Sequence, residues 1–367
     1  MTVDFTTADA ATRTAAETEA QQAYERHRGR NLQLDMTRGK PSPEQLDLSD
    51  GILTVVETDQ TTGEDGTDYR NYGGLTGIPE ARRLFAEYMG VTPAQVIIGG
   101  NSSLTMMYDA IVGGMLFGMP GGDAPWGQQD AVKFLCPVPG YDRHFAICER
   151  LGIEMINVDM TDDGPDLDAV ESLVKDPQVK GIWCVPKYSN PTGATYSADS
   201  AKRLAEMEAA PDFRVFWDNA YAVHHLGAGP AKVPDLLKLC EDAGNADRAS
   251  MFGSTSKITL AGAGVAVLAA SENNIADALK KLSYASIGPD KINQLRHVRF
   301  FGDLDGLLAH MEKQAASVGP KFAAVDEDSR ESAWRQGNRH VDEAGRRLFC
   351  QCRCSRRLRR GNRPDGR

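Results

Sequence analysis

From residue 96 onward the chain alternates between two patterns. Short apolar runs at 96–98, 131–136, 153–158, 181–185, 214–217, 249–252 and 264–270 read as strands. The stretches 104–117, 166–175 and 197–209, and one opening near Tyr141, have the mixed polar and apolar spacing of helices. Strands that are apolar on both faces belong inside a mostly parallel sheet with helices on either side, an α/β architecture. Such sheets take their ligands at the carboxyl ends of the strands. Upstream, residues 8–28 are rich in Ala, Glu and Gln and read as a helix ending near Gly29. A short alternating strand is expected at 32–36, followed by a rigid turn at 37–43. Residues 57–71 are polar and loop-like, and a glycine-rich loop from Asn71 leads to Pro79, which suits the first turn of a helix over 80–89. Residues 272–325 read as helical, with a break at Ser286-Ile287-Gly288-Pro289. After about Val325 the periodicity collapses.

Composition narrows the class. The 367 residues leave room for one large domain and a smaller partner. A formal net charge of −10 speaks against general affinity for nucleic acid and for small-molecule substrates. No apolar run reaches the length of a membrane span, and the acidic first residues do not form a secretory signal, so a cytoplasmic location is expected. Cys136, Cys148, Cys184 and Cys240 fall inside expected elements and read as core thiols of a reducing compartment. Charge is uneven along the chain. Residues 326–367 hold twelve Arg, no Lys and seven acids. From Arg346 this Arg-rich tail, with Cys350, Cys352 and Cys354, has almost no apolar periodicity and reads like translation in a shifted frame. A basic interaction tail is the other reading. No metal site is expected there, because Cys-x-Cys-x-Cys lacks a fourth ligand at zinc spacing.

The candidate chemistry lies at strand ends. Ser250-Met-Phe-Gly-Ser-Thr-Ser-Lys257 runs from an apolar strand into a hydroxyl-rich turn closed by a lysine. Hydroxyls and amides there suit a phosphate, and the amine suits Schiff-base chemistry with an aldehyde cofactor. A solvated loop lysine has the same local sequence. Ser189-Asn190-Pro-Thr-Gly193 follows another strand and is at least a turn. Asp218 ends a third, as a buried acid needing a partner or as a helix cap. Gly99-Gly100-Asn101-Ser102-Ser103 joins a strand to a helix N-terminus, a place that favours phosphate.

Order and spacing then support a resemblance: Asn190 lies 28 residues before Asp218, Tyr221 three after it, and Lys257 a further 36 on. Together they resemble the fold-type I pyridoxal-phosphate enzymes, in particular class I/II aminotransferases, over roughly residues 30–300. The segments Gly253–Thr259, Pro139–His144 and Ile287–Gln294 resemble the actinobacterial-type aspartate aminotransferase subgroup. The resemblance implies a three-layer sandwich with a second, smaller and incomplete domain. It implies an N-terminal arm and part of the small domain over 1–48, a large cofactor domain over 49–300, the start of the C-terminal small domain over 301–325, and the aberrant tail beyond. It also implies that pyridoxal 5′-phosphate is bonded by Lys257, that Asp218 holds the ring nitrogen, and that Asn190 and Tyr221 hold the phenolic oxygen. Gly100, Asn101, Ser102 and Ser254 would bind the phosphate and Tyr141 would stack on the ring. Tyr72 would reach the neighbouring subunit's phosphate in a homodimer. Gly39 and Asn190 would meet substrate. The family's phosphate-binding arginine is missing: Val265 and its neighbours are apolar, and Lys291 or Arg296 could replace it or bind a substrate carboxylate. The expected reaction passes an amino group from an amino acid, aspartate or glutamate, to a 2-oxo acid. A lyase or decarboxylase of the same cofactor class, and an impaired cofactor-binding homologue, are the alternatives.

Overall fold

The computed structural model describes residues 8–33, 39–226 and 233–335. Among these, strands β1 (Val96–Ile98), β2 (Lys133–Val138), β3 (Glu154–Thr161), β4 (Gly164–Pro165), β5 (Val179–Cys184), β6 (Arg214–Asp218), β7 (Ala249–Ser254) and β8 (Ala266–Ala270) form one sheet in the order β1-β8-β7-β6-β5-β2-β3-β4. Neighbours from β3 to β7 pair in parallel, β8 is antiparallel to both β7 and β1, and β4 is antiparallel to β3. The reversal at β8 has a local cause. The link from Ser254 to Ala266 is too short to carry a crossover helix, so the chain turns back beside the strand it has just left.

The helices are α1 (Ala10–Arg28), α2 (Pro43–Asp47), α3 (Pro79–Met89), α4 (Ser103–Phe117), α5 (Asp142–Leu151), α6 (Leu167–Leu173), α7 (Ala198–Glu206), α8 (Leu236–Asp242), α9 (Glu272–Ala285), α10 (Lys291–Phe301) and α11 (Leu304–Arg335). Their ends follow the sequence. Pro79 opens α3 and Gly90 closes it in the left-handed conformation. Ser197 caps α7 by accepting from Ser200 N, and the helix turns Ala201, Leu204 and Ala205 inward.

Both faces of the sheet are covered. On one, Val215, Trp217, Met251 and Val267 pack with Phe85 of α3, Leu204 of α7 and Leu236 of α8. On the other, Phe134, Trp183, Phe216 and Phe252 pack with Met107 and Ile111 of α4 and with Ile147 of α5. Each such side chain, fully buried, contributes about 1.5–3 kcal/mol. Gly181 of β5 is required by this packing, since a Cβ there would lie 2.6 Å from the Phe134 ring.

Some expectations change. Of the strand expected at 32–36, only Leu32 and Gln33 are described, and their backbone is irregular. α8 was not legible: its seven residues are too few to show a period, although Asp235 caps it and Leu236, Leu237 and Cys240 are buried. The collapse expected after Val325 does not apply to the backbone up to Arg335, because α11 continues through a polar run without Gly or Pro. Residues 336–367, with Cys350, Cys352 and Cys354, lie outside the described residues. The four earlier cysteines are free and buried.

Candidate active site

Three strand ends and one helix start converge. Asp218 is the last residue of β6, Asn190 lies in the loop after β5, and Lys257 in the turn after β7. Gly100, Asn101 and Ser102 link β1 to α4.

Asp218 is buried, and His144 Nε2 of α5 donates to its Oδ2 at 3.1 Å. The His144 ring stacks on Trp183 at 4.3 Å with a 7° tilt. Asp218 Oδ1 is also buried and has no hydrogen-bond partner among the described residues. A buried carboxylate oxygen without a donor is costly, so the arrangement suits a ligand that brings an N–H to that point. Tyr141, the residue before α5, meets His144 edge-on at 5.0 Å. Burial first, then the Asp218 charge, raises its pKa.

Lys257 Nζ lies 4.8 Å from the centroid of the Tyr221 ring. Burial lowers the lysine pKa, and the attraction of Asp218 opposes that shift. The Tyr221 hydroxyl is raised by burial and then by Asp218, while a hydrogen bond with the Asn190 side chain works the other way. Lys257, Asp218, Tyr221 and Asn190 are therefore within electrostatic or hydrogen-bonding reach of one another.

The glycine-hydroxyl loop is stitched to the Lys257 turn. Gly99 N donates to Ala266 O, and Ala266 N to Gly100 O, each at 2.8 Å. Ser256 Oγ donates to Asn101 O at 3.0 Å, and Asn101 Nδ2 to Gly262 O at 3.4 Å. Ser254 pairs with Ala266 at the same edge. Ser102 caps α4, and the space beside the Gly100 Cα is open. A helix N-terminus flanked by hydroxyls and glycine suits a phosphate. Donor set, orphaned carboxylate and desolvated amine thus fit pyridoxal 5′-phosphate.

The remaining residues lie further out. Tyr72 is 82% exposed. Lys291 is buried, and its Nζ donates to Gly73 O at 2.9 Å, at the base of the Tyr72 loop. Val265 is buried at the start of the β8 segment, and its N–H donates to Thr255 Oγ1 at 2.9 Å. Gly39 is exposed, with nothing within 4 Å of a Cβ placed on it. Arg296 is half-buried on α10. A cavity of about 580 Å³ between the 117–125 loop and α9 is lined by none of these residues. Sequence reasoning did not single out His144, although its position three residues after Tyr141 places both at the start of one helix.

Comparison with known proteins agrees with this geometry. The family model described as aspartate amino-transferase matches residues 7–337. A putative aminotransferase of Mycolicibacterium smegmatis is 54% identical over 311 residues, 84% of this chain and 73% of that protein. An aspartate aminotransferase of Corynebacterium glutamicum is 53% identical over 310 residues, 84% of this chain and 72% of that protein. The crystal structure of an aspartate transaminase from Corynebacterium glutamicum superposes with a TM-score of 0.89 at 48% identity, covering 92% of this chain and 80% of that one. With a three-layer sheet architecture, a lysine and a carboxylate meeting at its strand ends, and matches of this extent, the chain belongs to the aspartate amino-transferase family and is a pyridoxal-phosphate-dependent enzyme that transfers amino groups.

Proposed function

We propose that this chain passes the amino group of an acidic amino acid, aspartate or glutamate, to a 2-oxo acid, with pyridoxal 5′-phosphate held at the carboxyl ends of β5, β6 and β7. The observation that carries this reading is a buried, unpartnered oxygen, Asp218 Oδ1, within electrostatic reach of a desolvated amine, Lys257 Nζ.

When bound, the cofactor supplies an aldehyde that links to amines and a ring that draws electrons from the substrate α-carbon. Asp218 Oδ1 would accept the ring N–H, with His144 holding Oδ2. Lys257 Nζ would hold the cofactor and move the proton at the substrate α-carbon; burial lowers its pKa toward the neutral, basic form. Tyr221, whose hydroxyl burial keeps protonated, would donate to the phenolic oxygen together with Asn190. Tyr141 would stack on the ring. Gly100, Asn101, Ser102 and Ser254 would hold the phosphate. Tyr72 would reach the neighbouring subunit's phosphate, which would make the working unit a homodimer. Gly39, Asn190 and Lys291 would meet the substrate, and Lys291 also braces the Tyr72 loop. Residues 49–300 form the cofactor domain, 1–48 an N-terminal arm and part of the small domain, and 301–325 the start of the C-terminal small domain. A cytoplasmic location accords with the free buried thiols.

Absorption spectroscopy with added pyridoxal 5′-phosphate tests the reading. A visible band, absent in Lys257→Ala, should bleach when aspartate or glutamate is added and return with a 2-oxo acid. A band indifferent to both amino acids would refute the substrate class. Bleaching by other amino acids alone would redirect it, and product release without any oxo acid would mean a lyase or decarboxylase.

A further inference from the structure

The turn that carries Lys257 is gripped by three histidines that the proposed reaction does not use. His224, in the segment after β6, places Nε2 3.1 Å from the Lys257 carbonyl oxygen. His310 of α11 places Nε2 2.8 Å from the Ile258 carbonyl oxygen, which also accepts from Gln314 Nε2 at 3.2 Å. His297 of α10 places Nε2 3.1 Å from Thr255 Oγ1 and 3.0 Å from Thr259 Oγ1. All three rings are buried.

The partners fix the tautomers. A carbonyl only accepts, so His224 and His310 carry their proton on Nε2. His297 Nδ1 faces the Asn293 carbonyl at 2.8 Å, so the proton is on Nδ1 and Nε2 is the acceptor toward the Thr255 and Thr259 hydroxyl pair. Each ring works in its neutral form. Burial pushes His224 and His297 down to about 4 and lowers His310. The hydrogen bonds to the Lys257, Asn293 and Ile258 carbonyls oppose these shifts, while nearby cations add to them: Lys257 and Lys187 on His224, Arg296 on His297, and Lys313 on His310.

The three contacts come from three separate elements, so the turn cannot slide without breaking one of them. Thr255 Oγ1 also accepts from Val265 N, which ties the return strand to the same network. α11 is anchored in turn to the N-terminal segment, where Gln314 Nε2 donates to Gln45 O at 3.0 Å and Gln45 Nε2 to Gln314 Oε1 at 3.1 Å.

We propose that His224, His297 and His310 are positioning residues for Lys257: as neutral hydrogen-bonding groups they fix the 255–259 turn and so set where the lysine amine sits and how far it is desolvated. This rests on the reading of Lys257 as the reactive amine. The test uses the cofactor-free full chain, with Lys257 labelled by trinitrobenzenesulfonate across a pH series and quantified by peptide mass spectrometry. Wild-type Lys257 should react at lower pH than an ordinary lysine. His224→Phe and His297→Phe should move its half-reaction point up, toward the ordinary value. His224→Gln should restore the donor to the Lys257 carbonyl and recover the wild-type profile. Thr259→Val, a smaller change, covers the case in which a phenylalanine variant does not fold, and should shift the profile in the same direction. An unchanged Lys257 profile in the folded variants would overturn the proposal while leaving the reactive-lysine reading standing. Transamination surviving in Lys257→Ala would overturn that reading instead, whatever the labelling shows.

Discussion

Replacing His144 by phenylalanine isolates the support that one side chain gives to the Asp218 carboxylate. The ring and its stack on Trp183 are kept, while the donor to Asp218 Oδ2, at 3.1 Å, is lost. Depriving a buried charged group of such a bond costs about 1.5–3 kcal/mol. At about 1.4 kcal/mol per factor of ten, kcat should fall by roughly 10- to 150-fold. KM for aspartate should move little, because His144 lies behind the carboxylate and not beside the substrate. The assay is steady-state transamination of aspartate and 2-oxoglutarate, with oxaloacetate followed through NADH oxidation by malate dehydrogenase. His144→Gln, which can still present an N–H, should recover part of the loss. A His144→Phe enzyme with full cofactor content and kcat within about twofold of wild type would refute the argument, since the expected loss exceeds that margin at its lower bound.

Three further outcomes are expected. Lys187 is buried with its Nζ donating to Ala222 O at 2.6 Å, and burial lowers its pKa to about 8. Between that value and the unfolded one the unfolded chain binds the extra proton, so stability rises with pH across about 8 to 10.5; the gain of Lys187→Met over wild type in urea melts should be larger at pH 7 than above pH 10.5 by about 2 kcal/mol after allowance for screening. A gain that does not change with pH would contradict this. Lys180 Nζ donates to both Asp212 oxygens, at 2.9 and 2.8 Å, with both groups buried and Trp126 Nε1 also on Asp212; Lys180→Met alone should cost about 3–5 kcal/mol in chemical denaturation, and Lys180→Met with Asp212→Leu clearly less than the sum of the single changes. Light scattering with cofactor present should give a dimer, and a stable monomer would remove the role proposed for Tyr72 across the interface.

Much of the sheet was legible because its strands are buried on both faces: β5 and β7 are enclosed along their whole length, and such runs are hard to mistake. The reversed direction of β8 was not legible, since it depends on the length of a link and not on the strand's own residues. Lys257, Asp218, Asn190 and Tyr221 stood out through their order along the chain, and the fold brings them together. His144 and the three histidines around the turn did not stand out. Each makes its bracing contact with a residue 33 to 74 positions away, and nothing in the local sequence separates a histidine that braces from one that fills space. Lys291 shows the converse. A lone cation near a cofactor segment suggests an anion partner, yet Lys291 Nζ donates to the Gly73 backbone carbonyl.

Trp183, stacked on His144, and Trp217, immediately before Asp218 on the opposite face of the sheet, put a buried indole on either face at the carboxylate end of the site. The molecule therefore carries its own optical gauge. A ligand that absorbs in the near ultraviolet and settles against Asp218 would drain the emission of both rings, so occupancy could be followed by fluorescence without an added label, in variants that no longer turn over as readily as in those that do.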